Sequence, residues 1–210
     1  MIKEDKIDIE SEYGILNGPF HEFIESLTSV IDGRDEFTQN HSYRVAELSE
    51  LLARHMRYPE EFIAKVHIAG HLHDIGKIVI HESIRLKPEK LDINEFAKIK
   101  RHPIIGAEIV GKVQGLESIV NMVLHHHERW IGMGYPEGIS GEEIDPGGRI
   151  IAVADSLDAL LTTRPYSPAI SMNSAFSEIN NFSGRMYDPS VVEALMSIDL
   201  KEIQKLYQDP

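Results

Sequence analysis

The chain reads as all-α on three observations. From Pro19 onward apolar residues recur at i, i+3, i+4 spacing, the period-two alternation of a half-buried strand is scarce, and each helix-like stretch is amphipathic. Residues 1 to 18 are acidic and mixed, with Gly14 and Asn17-Gly18-Pro19 marking a break, so they are expected to form a lead-in to one domain over residues 19–210. The first helix carries Phe20, Phe23, Ile24, Leu27 and Ile31 and stops near Gly33. A second presents Val45, Leu48, Leu52 and Met56, a third Phe62, Val66 and Ala69, and a fourth Phe96 and Ile99 before Pro103. Further helices are expected over roughly 117–128, 149–161, 173–182 and 189–196, with a last turn or two over 201–207. The longest irregular stretch, Arg129 to Gly148, is rich in Gly and Pro, and loops of this length inside a compact domain are usually functional or disordered.

With 210 residues and 42% hydrophobic content the chain can bury a real core. Its net charge of -13, from 34 acidic against 21 basic residues, argues against a surface that tracks DNA, RNA or an anionic membrane. An anionic substrate must therefore be held by local positive charge. The absence of cysteine removes disulfides, thiolate metal ligands and a cysteine nucleophile together. The opening Met1-Ile2-Lys3-Glu4-Asp5-Lys6 lacks the pattern of a signal peptide, and no run approaches the length of a membrane span, so a cytoplasmic location is expected.

Polar groups that metals favour fall on the faces that should be apolar. His41 lies four residues before Val45 on the same helix face, and His73 continues the ladder Phe62, Val66, Ala69, with Asp74 next in sequence. His102 extends Phe96 and Ile99 by three residues. His126 lines up with Ile119 and Val123, and His127 with Val120, Val123 and Leu124. Neighbours on a helix diverge by about 100°, so adjacent imidazoles can serve two metals of one cluster. Asp155 stands inside the apolar run Ile150-Ile151-Ala152-Val153-Ala154, where an unpaired carboxylate is rarely buried.

Each of these alone has an ordinary reading as a satisfied core histidine, a cap or a helix-dipole partner. Their convergence from five expected helices points instead to a metal site. Seven ligands exceed what one four-coordinate ion uses, which implies two divalent ions with Asp74 as the bridge. Imidazole and carboxylate without sulfur suit Fe or Mn, and also admit Zn, Ni or Co. Two ions about 3.5 to 4 Å apart can activate a bridging water and neutralise the oxygens of an in-line phosphoryl displacement, so the expected chemistry is phosphoester hydrolysis. Lys77, one turn after His73, can clamp a non-bridging oxygen or ease departure of the alkoxide. Arg164 offers a guanidinium fork for phosphate, or is simply a surface arginine on a loop.

The motifs His41-Ser42-Tyr43-Arg44-Val45, His73-Asp74-Ile75-Gly76-Lys77, Arg101-His102-Pro103 with Gly106, His126-His127-Glu128-Arg129-Trp130, Gly134-Tyr135-Pro136, Asp155 through Asp158-Ala159-Leu160, and Arg164-Pro165-Tyr166 stand in this order over about residues 20 to 200. Together they resemble the HD-GYP family, a branch of the HD-domain metal-dependent phosphohydrolases. The resemblance implies an HD-domain helical bundle with a C-terminal extension carrying the Gly-Tyr-Pro loop. It also implies hydrolysis of cyclic di-GMP to linear pGpG, or onward to GMP, by a metal-bridging hydroxide. The family's ligands map onto His41, His73, Asp74, His102, His126, His127 and Asp155, while Gly134, Tyr135 and Pro136 would shape the substrate pocket, Tyr135 by packing on or hydrogen-bonding the ligand.

The chain departs from the family pattern at Ile131, where Asp is common, and at Ser167, where Lys or Arg is common. Phe37 stands where members with a third metal carry glutamate, which implies a binuclear site. Two other readings stay open at this point: hydrolysis of another cyclic dinucleotide such as 3'3'-cyclic GMP-AMP, and a non-catalytic cyclic dinucleotide receptor or partner-binding module. No sensory or receiver module is legible, so a separate signalling protein, acting through the Gly-Tyr-Pro loop, is the expected partner; oligomeric state is not set.

Overall fold

Pro19 starts the first helix of the described residues, because a residue without an N–H fits the first turn at no loss. In the computed structural model, which describes residues 18–33, 40–87, 89–163 and 168–207, the elements that follow are helices and 3₁₀ turns. The one β-type pairing among the described residues is an isolated bridge between Ser183 and Tyr187. Helix α1 (Pro19–Asp32) buries Ile24, Thr28 and Asp32, with Leu27 and Ile31 packed beside them. Phe23, assigned to this face from the sequence, is instead 60% exposed, because the buried stripe runs 24, 27, 28, 31 and leaves it on the flank. Gly33 does end the helix, with ordinary right-handed dihedrals.

Helices α2 (His41–His55) and α3 (Glu60–Leu72) pack along each other and bury Val45, Leu48, Leu52, Val66 and Ala69 as the periodicity predicts. Helix α8 (Pro146–Leu161) is the spine of the bundle. It packs on α2, on α3 and on α7 (Val120–His125), and buries Ile150, Ile151, Val153, Ala154 and Leu157, a spread around its circumference expected of a central helix. Its start lies three residues earlier than the sequence suggests, since the Asp145 side chain accepts from Gly147 N at 2.8 Å and Pro146 occupies the first turn. Beyond it, α9 (Met172–Asn181), α10 (Pro189–Ser197) and α11 (Leu200–Lys205) cover the remaining apolar face with Ile179, Leu195 and Ile203.

The fourth expected helix divides. Short α4 (Glu82–Arg85) and α5 (Ile93–Ile99) contain no buried residue, and Phe96 is 45% exposed. His102 begins a separate helix, α6 (His102–Val110), because Pro103 cannot continue a helix yet fits the first turn of a new one. The expected helix over 117–128 likewise becomes a 3₁₀ turn, Glu117–Ile119, followed by α7. None of the helices among the described residues is long and apolar enough to cross a membrane.

Candidate metal centre

The doublet stands where α3 ends. His73 is the C-terminal cap and Asp74 leads into a 3₁₀ turn, Ile75–Val79. A Cβ on Gly76 would lie 2.0 Å from His102 O and 2.6 Å from Gly106 N, so only glycine lets this turn press against the start of α6. That contact carries His102 to Asp74. Helix α7 ends at His125, leaving His126 as its cap and His127 just beyond. On the opposite side, His41 opens α2, and Asp32 at the end of α1 accepts from Ser42 N at 2.8 Å and Ser42 Oγ at 2.9 Å. Asp32 thereby replaces the cap that Asn40, with its left-handed φ of 58°, does not supply.

Positions at and beside helix ends set the orientation of the rings. His73 Nδ1 donates to Gly70 O, His102 Nδ1 to Ile99 O and His126 Nδ1 to Val123 O, each at 2.7 Å. His41 Nδ1 donates to Asp158 Oδ2 at 2.7 Å. A neutral imidazole with its proton on Nδ1 presents a bare Nε2, so all four rings are set to donate electron pairs from that atom.

Those atoms meet around Asp74. His102 Nε2 lies 3.2 Å from Asp74 Oδ1, and His73 Nε2 lies 3.4 Å and His41 Nε2 3.7 Å from Asp74 Oδ2. His41 Nε2 is also 3.4 Å from Asp155 Oδ1, and His102 Nε2 is 3.2 Å from His126 Nε2. Two sets result, each with ligand atoms within 4.8 Å of one another: His41, His73 and Asp155, and Asp74, His102, His126 and His127. The structure thus gathers all seven predicted residues, with the two oxygens of Asp74 turned toward different sets.

These residues fit metal ions. His73 Nε2 and Asp74 Oδ1 are buried and have no hydrogen-bond partner, a condition that costs about 1–3 kcal/mol per atom unless a cation satisfies it. Without a cation, burial lowers His102 to about 4 and His126 to about 3, and pushes His127 well below the ordinary range. Burial opposes protonation of His73 too, but the neighbouring Asp74 outweighs it and raises that imidazole to about 9. Asp74 is held well below the usual carboxylate range: burial works against this, and Lys77 and His73 overcome it. Lys77 donates to Asp74 Oδ2 and is 32% exposed.

The Gly134-Tyr135-Pro136 segment lies against this cluster. A Cβ on Gly134 would fall 2.4 Å from Glu128 Cα, so the loop folds directly onto the residue after His127. Tyr135 N donates to His127 O at 3.2 Å, and the two rings stand 4.8 Å apart. Glu128 pins the far side of the loop by accepting from Glu137 N at 2.7 Å and Gly138 N at 3.0 Å. A cleft of about 210 Å³ opens here, lined in part by Phe96, His127, Tyr135, Asp155, Met186 and Tyr187. Phe96 therefore faces a cleft rather than the core. Ile131 is 52% exposed, while Arg164, Ser167 and Phe37 lie outside the described residues.

Asp158, Arg44 and Glu128 belong to the sequence motifs without a role that the motifs themselves assign. Asp158, fully buried, accepts from His41, from Arg44 Nε at 2.5 Å and from Tyr207 Oη at 3.1 Å. Burial favours its neutral form, yet the hydrogen bond from His41 and the Arg44 guanidinium keep it at about 2. Spacing could have flagged two of these, since Arg44 follows His41 and Asp158 follows Asp155 by three residues, one turn along the same face. Tyr207 carries no such signal.

An HD domain family model matches residues 25–191. A cyclic di-GMP phosphodiesterase of Thermotoga maritima is 41% identical over 189 residues, covering 89% of this chain and 51% of that protein. The 3'3'-cGAMP-specific phosphodiesterase 1 of Vibrio cholerae is 38% identical over 147 residues, covering 70% of this chain and 34% of the relative. The chain thus spans about half the length of the first relative and a third of the second. Among solved structures, Bd1817, an HDG"Y"P protein from Bdellovibrio bacteriovorus, matches with a TM-score of 0.64 over 94% of this chain and 67% of its own, at 17% identity, which shows a shared fold.

Proposed function

Because the chain belongs to the HD-domain family, we propose that it is a metal-dependent phosphodiesterase that opens cyclic di-GMP to linear pGpG. The observation that carries this reading is Asp74, whose two oxygens face two separate sets of nitrogen and oxygen donors. On this reading His41, His73, Asp74 and Asp155 would hold one ion, and Asp74, His102, His126 and His127 would hold the other. The sulfur-free set suits Fe or Mn, with Zn, Ni or Co also compatible. Two bound cations would supply a nucleophilic water at neutral pH and neutralise phosphoryl oxygens.

The chain's own residues do the rest. Asp158 and the backbone carbonyls at Gly70, Ile99 and Val123 hold the rings in one tautomer, so no reorientation is needed when substrate arrives. In the reaction one P–O3' bond breaks, water oxygen joins phosphorus and a proton passes to the departing 3' oxygen. Lys77, already beside Asp74, counters the charge on a non-bridging oxygen or on that leaving group. Tyr135, held by Gly134 and Pro136 next to His127, offers a ring face for a guanine. Arg164 is proposed as a further phosphate contact. The reaction is placed in the cytoplasm, and the exposed Ile131 and Met133 of the Gly-Tyr-Pro loop supply a surface for a signalling protein.

The similarity to a 3'3'-cGAMP-specific enzyme favours a second reading, in which the same machinery prefers the mixed cyclic dinucleotide. Both are tested by incubating anaerobically prepared protein, loaded with Fe or Mn, with each cyclic dinucleotide and separating the products by chromatography. Chelator-sensitive turnover led by cyclic di-GMP is expected. Faster turnover of 3'3'-cGAMP would transfer the assignment, and tight binding with no turnover of either would make the protein a receptor.

A further inference from the structure

A second set of imidazoles converges away from the centre, where α1 lies against α3. His21 belongs to the first turns of α1, and His67 and His71 stand one turn apart on α3. His67 Nε2 lies 3.0 Å from His21 Nε2 and 3.2 Å from His71 Nε2, and the three residues can offer ligand atoms all within 4.8 Å of one another. The rings splay around this point: His67 and His21 each meet His71 at 74°. His71 is 1% exposed, while the side chains of His67 and His21 are 11% and 22% exposed, so the cluster is closed on the α3 side and open toward solvent at His21. Along α3, positions 71 and 73 differ by about 200°, which turns His71 away from the centre that His73 serves.

Hydrogen bonds alone account poorly for this arrangement. A ring nitrogen carries either a proton or one in-plane lone pair, and His67 Nε2 has an imidazole nitrogen close by on two sides. Glu50 Oε2 lies 2.9 Å from His67 Nδ1 without the alignment of a hydrogen bond, and the nearby negative charge favours a proton on Nδ1 and a lone pair on Nε2. A cation accommodates what one lone pair cannot. Zinc bonds of about 2.0–2.1 Å in tetrahedral geometry place ligand nitrogens about 3.3 Å apart, close to the spacings seen here. The surroundings are acidic as well, with Glu47 3.9 Å from His67 Nδ1 and Glu25 4.0 Å from His21 Nδ1.

We propose that His21, His67 and His71 form a second metal site, which takes one zinc-type divalent cation through three Nε2 atoms and keeps its fourth position open to solvent. The site has a structural purpose. Helix α1 buries only Ile24, Thr28 and Asp32, and Asp32 is the residue that caps α2 beside His41. A cation tying the start of α1 to α3 steadies the helix whose far end supports the catalytic centre. None of this depends on the substrate or on the phosphodiesterase reading.

The test uses the untagged full chain, stripped with chelator and titrated with Co²⁺, whose visible absorption reports four-coordinate imidazole sites, and with Zn²⁺ during thermal unfolding. In an Asp74→Ala background, which disables the centre, one Co²⁺ equivalent with four-coordinate bands is expected, and Zn²⁺ should raise Tm. Adding His21→Ala should weaken that binding by at least the ~10–100-fold that follows loss of an outer partner, and should cancel the rise in Tm; Glu50→Gln should weaken it by about 10–100-fold. In the otherwise unaltered protein His21→Ala should lose one metal equivalent while turnover, measured well below Tm, stays within about twofold, which separates this site from the centre even if Asp74→Ala folds poorly. Equal Co²⁺ binding with and without His21, in both backgrounds, would overturn the proposal and leave the cluster a set of packed histidines.

Discussion

The two histidine clusters are built by different means. In the seven-residue centre, His41, His73, His102 and His126 stand at helix ends, where free carbonyls or the Asp158 carboxylate fix each Nδ1. In the smaller cluster, His67 and His71 occupy successive turns of one helix face, and the Nδ1 atoms of both are buried without a hydrogen-bond partner, although Glu50 Oε2 lies 2.9 Å from that of His67. Helix ends offer orienting groups that a helix face has already committed to its own hydrogen bonds. The lesson is that the centre is organised before any ligand arrives, whereas the smaller cluster relies on the ligand to complete it.

The hardest test of this contrast is Asp74→Ala. It should remove the ions of the centre and reduce turnover by more than the ~10²–10³ typical of losing one electrostatic contact, as measured by metal analysis and product chromatography. Retention of a full metal complement would contradict the bridge. Lys77→Ala should keep both ions yet slow turnover by about 10²-fold; unchanged turnover would reduce Lys77 to an ion pair at a helix end.

Asp158→Asn probes orientation directly, and should weaken metal binding by about 10–100-fold in a competition titration. The same residue sets an acid limit. Its folded pKa of about 2 is below the ordinary 3.8, so its stabilisation is fully present above about pH 4 and is lost as pH falls toward 2. The Asn variant should lose that limb in an acid-unfolding curve, and an identical curve would remove the charge from the account. Tyr135→Ala should raise KM for cyclic di-GMP by about 5-fold or more, in keeping with the ~1–3 kcal/mol of a base–aromatic stack, while leaving kcat nearly intact. The smallest effect belongs to the other cluster, since His21→Ala should leave turnover within about twofold if the two sites are as separate as their helix faces imply.

Much of this was written in the order of residue types. Apolar spacing marks α2, α3 and α8, and imidazole or carboxylate on or beside the inward faces of these helices and of the stretches that form α6 and α7 singles out the seven residues that meet at the centre. Helical period reports which side chains share a face of one helix, and that is a local property of the chain. His102 shows the limit: its inward direction was legible, but it opens α6 instead of closing the preceding helix, because Pro103 breaks the run. Phe96 was read as core and faces the cleft.

What the chain settled by itself is therefore the helical class and the identity of the inward-facing donors, both of which depend on neighbours within a turn or two. Tertiary structure alone decided that Tyr207 and Arg44 would meet on Asp158 behind His41, that Gly76 would let the doublet reach α6, and that His21 would come to rest against His67 and His71. The reason is physical: periodicity specifies a direction about one helix axis, while contacts between distant residues depend on how the axes pack, which is set by the buried surfaces of the whole bundle.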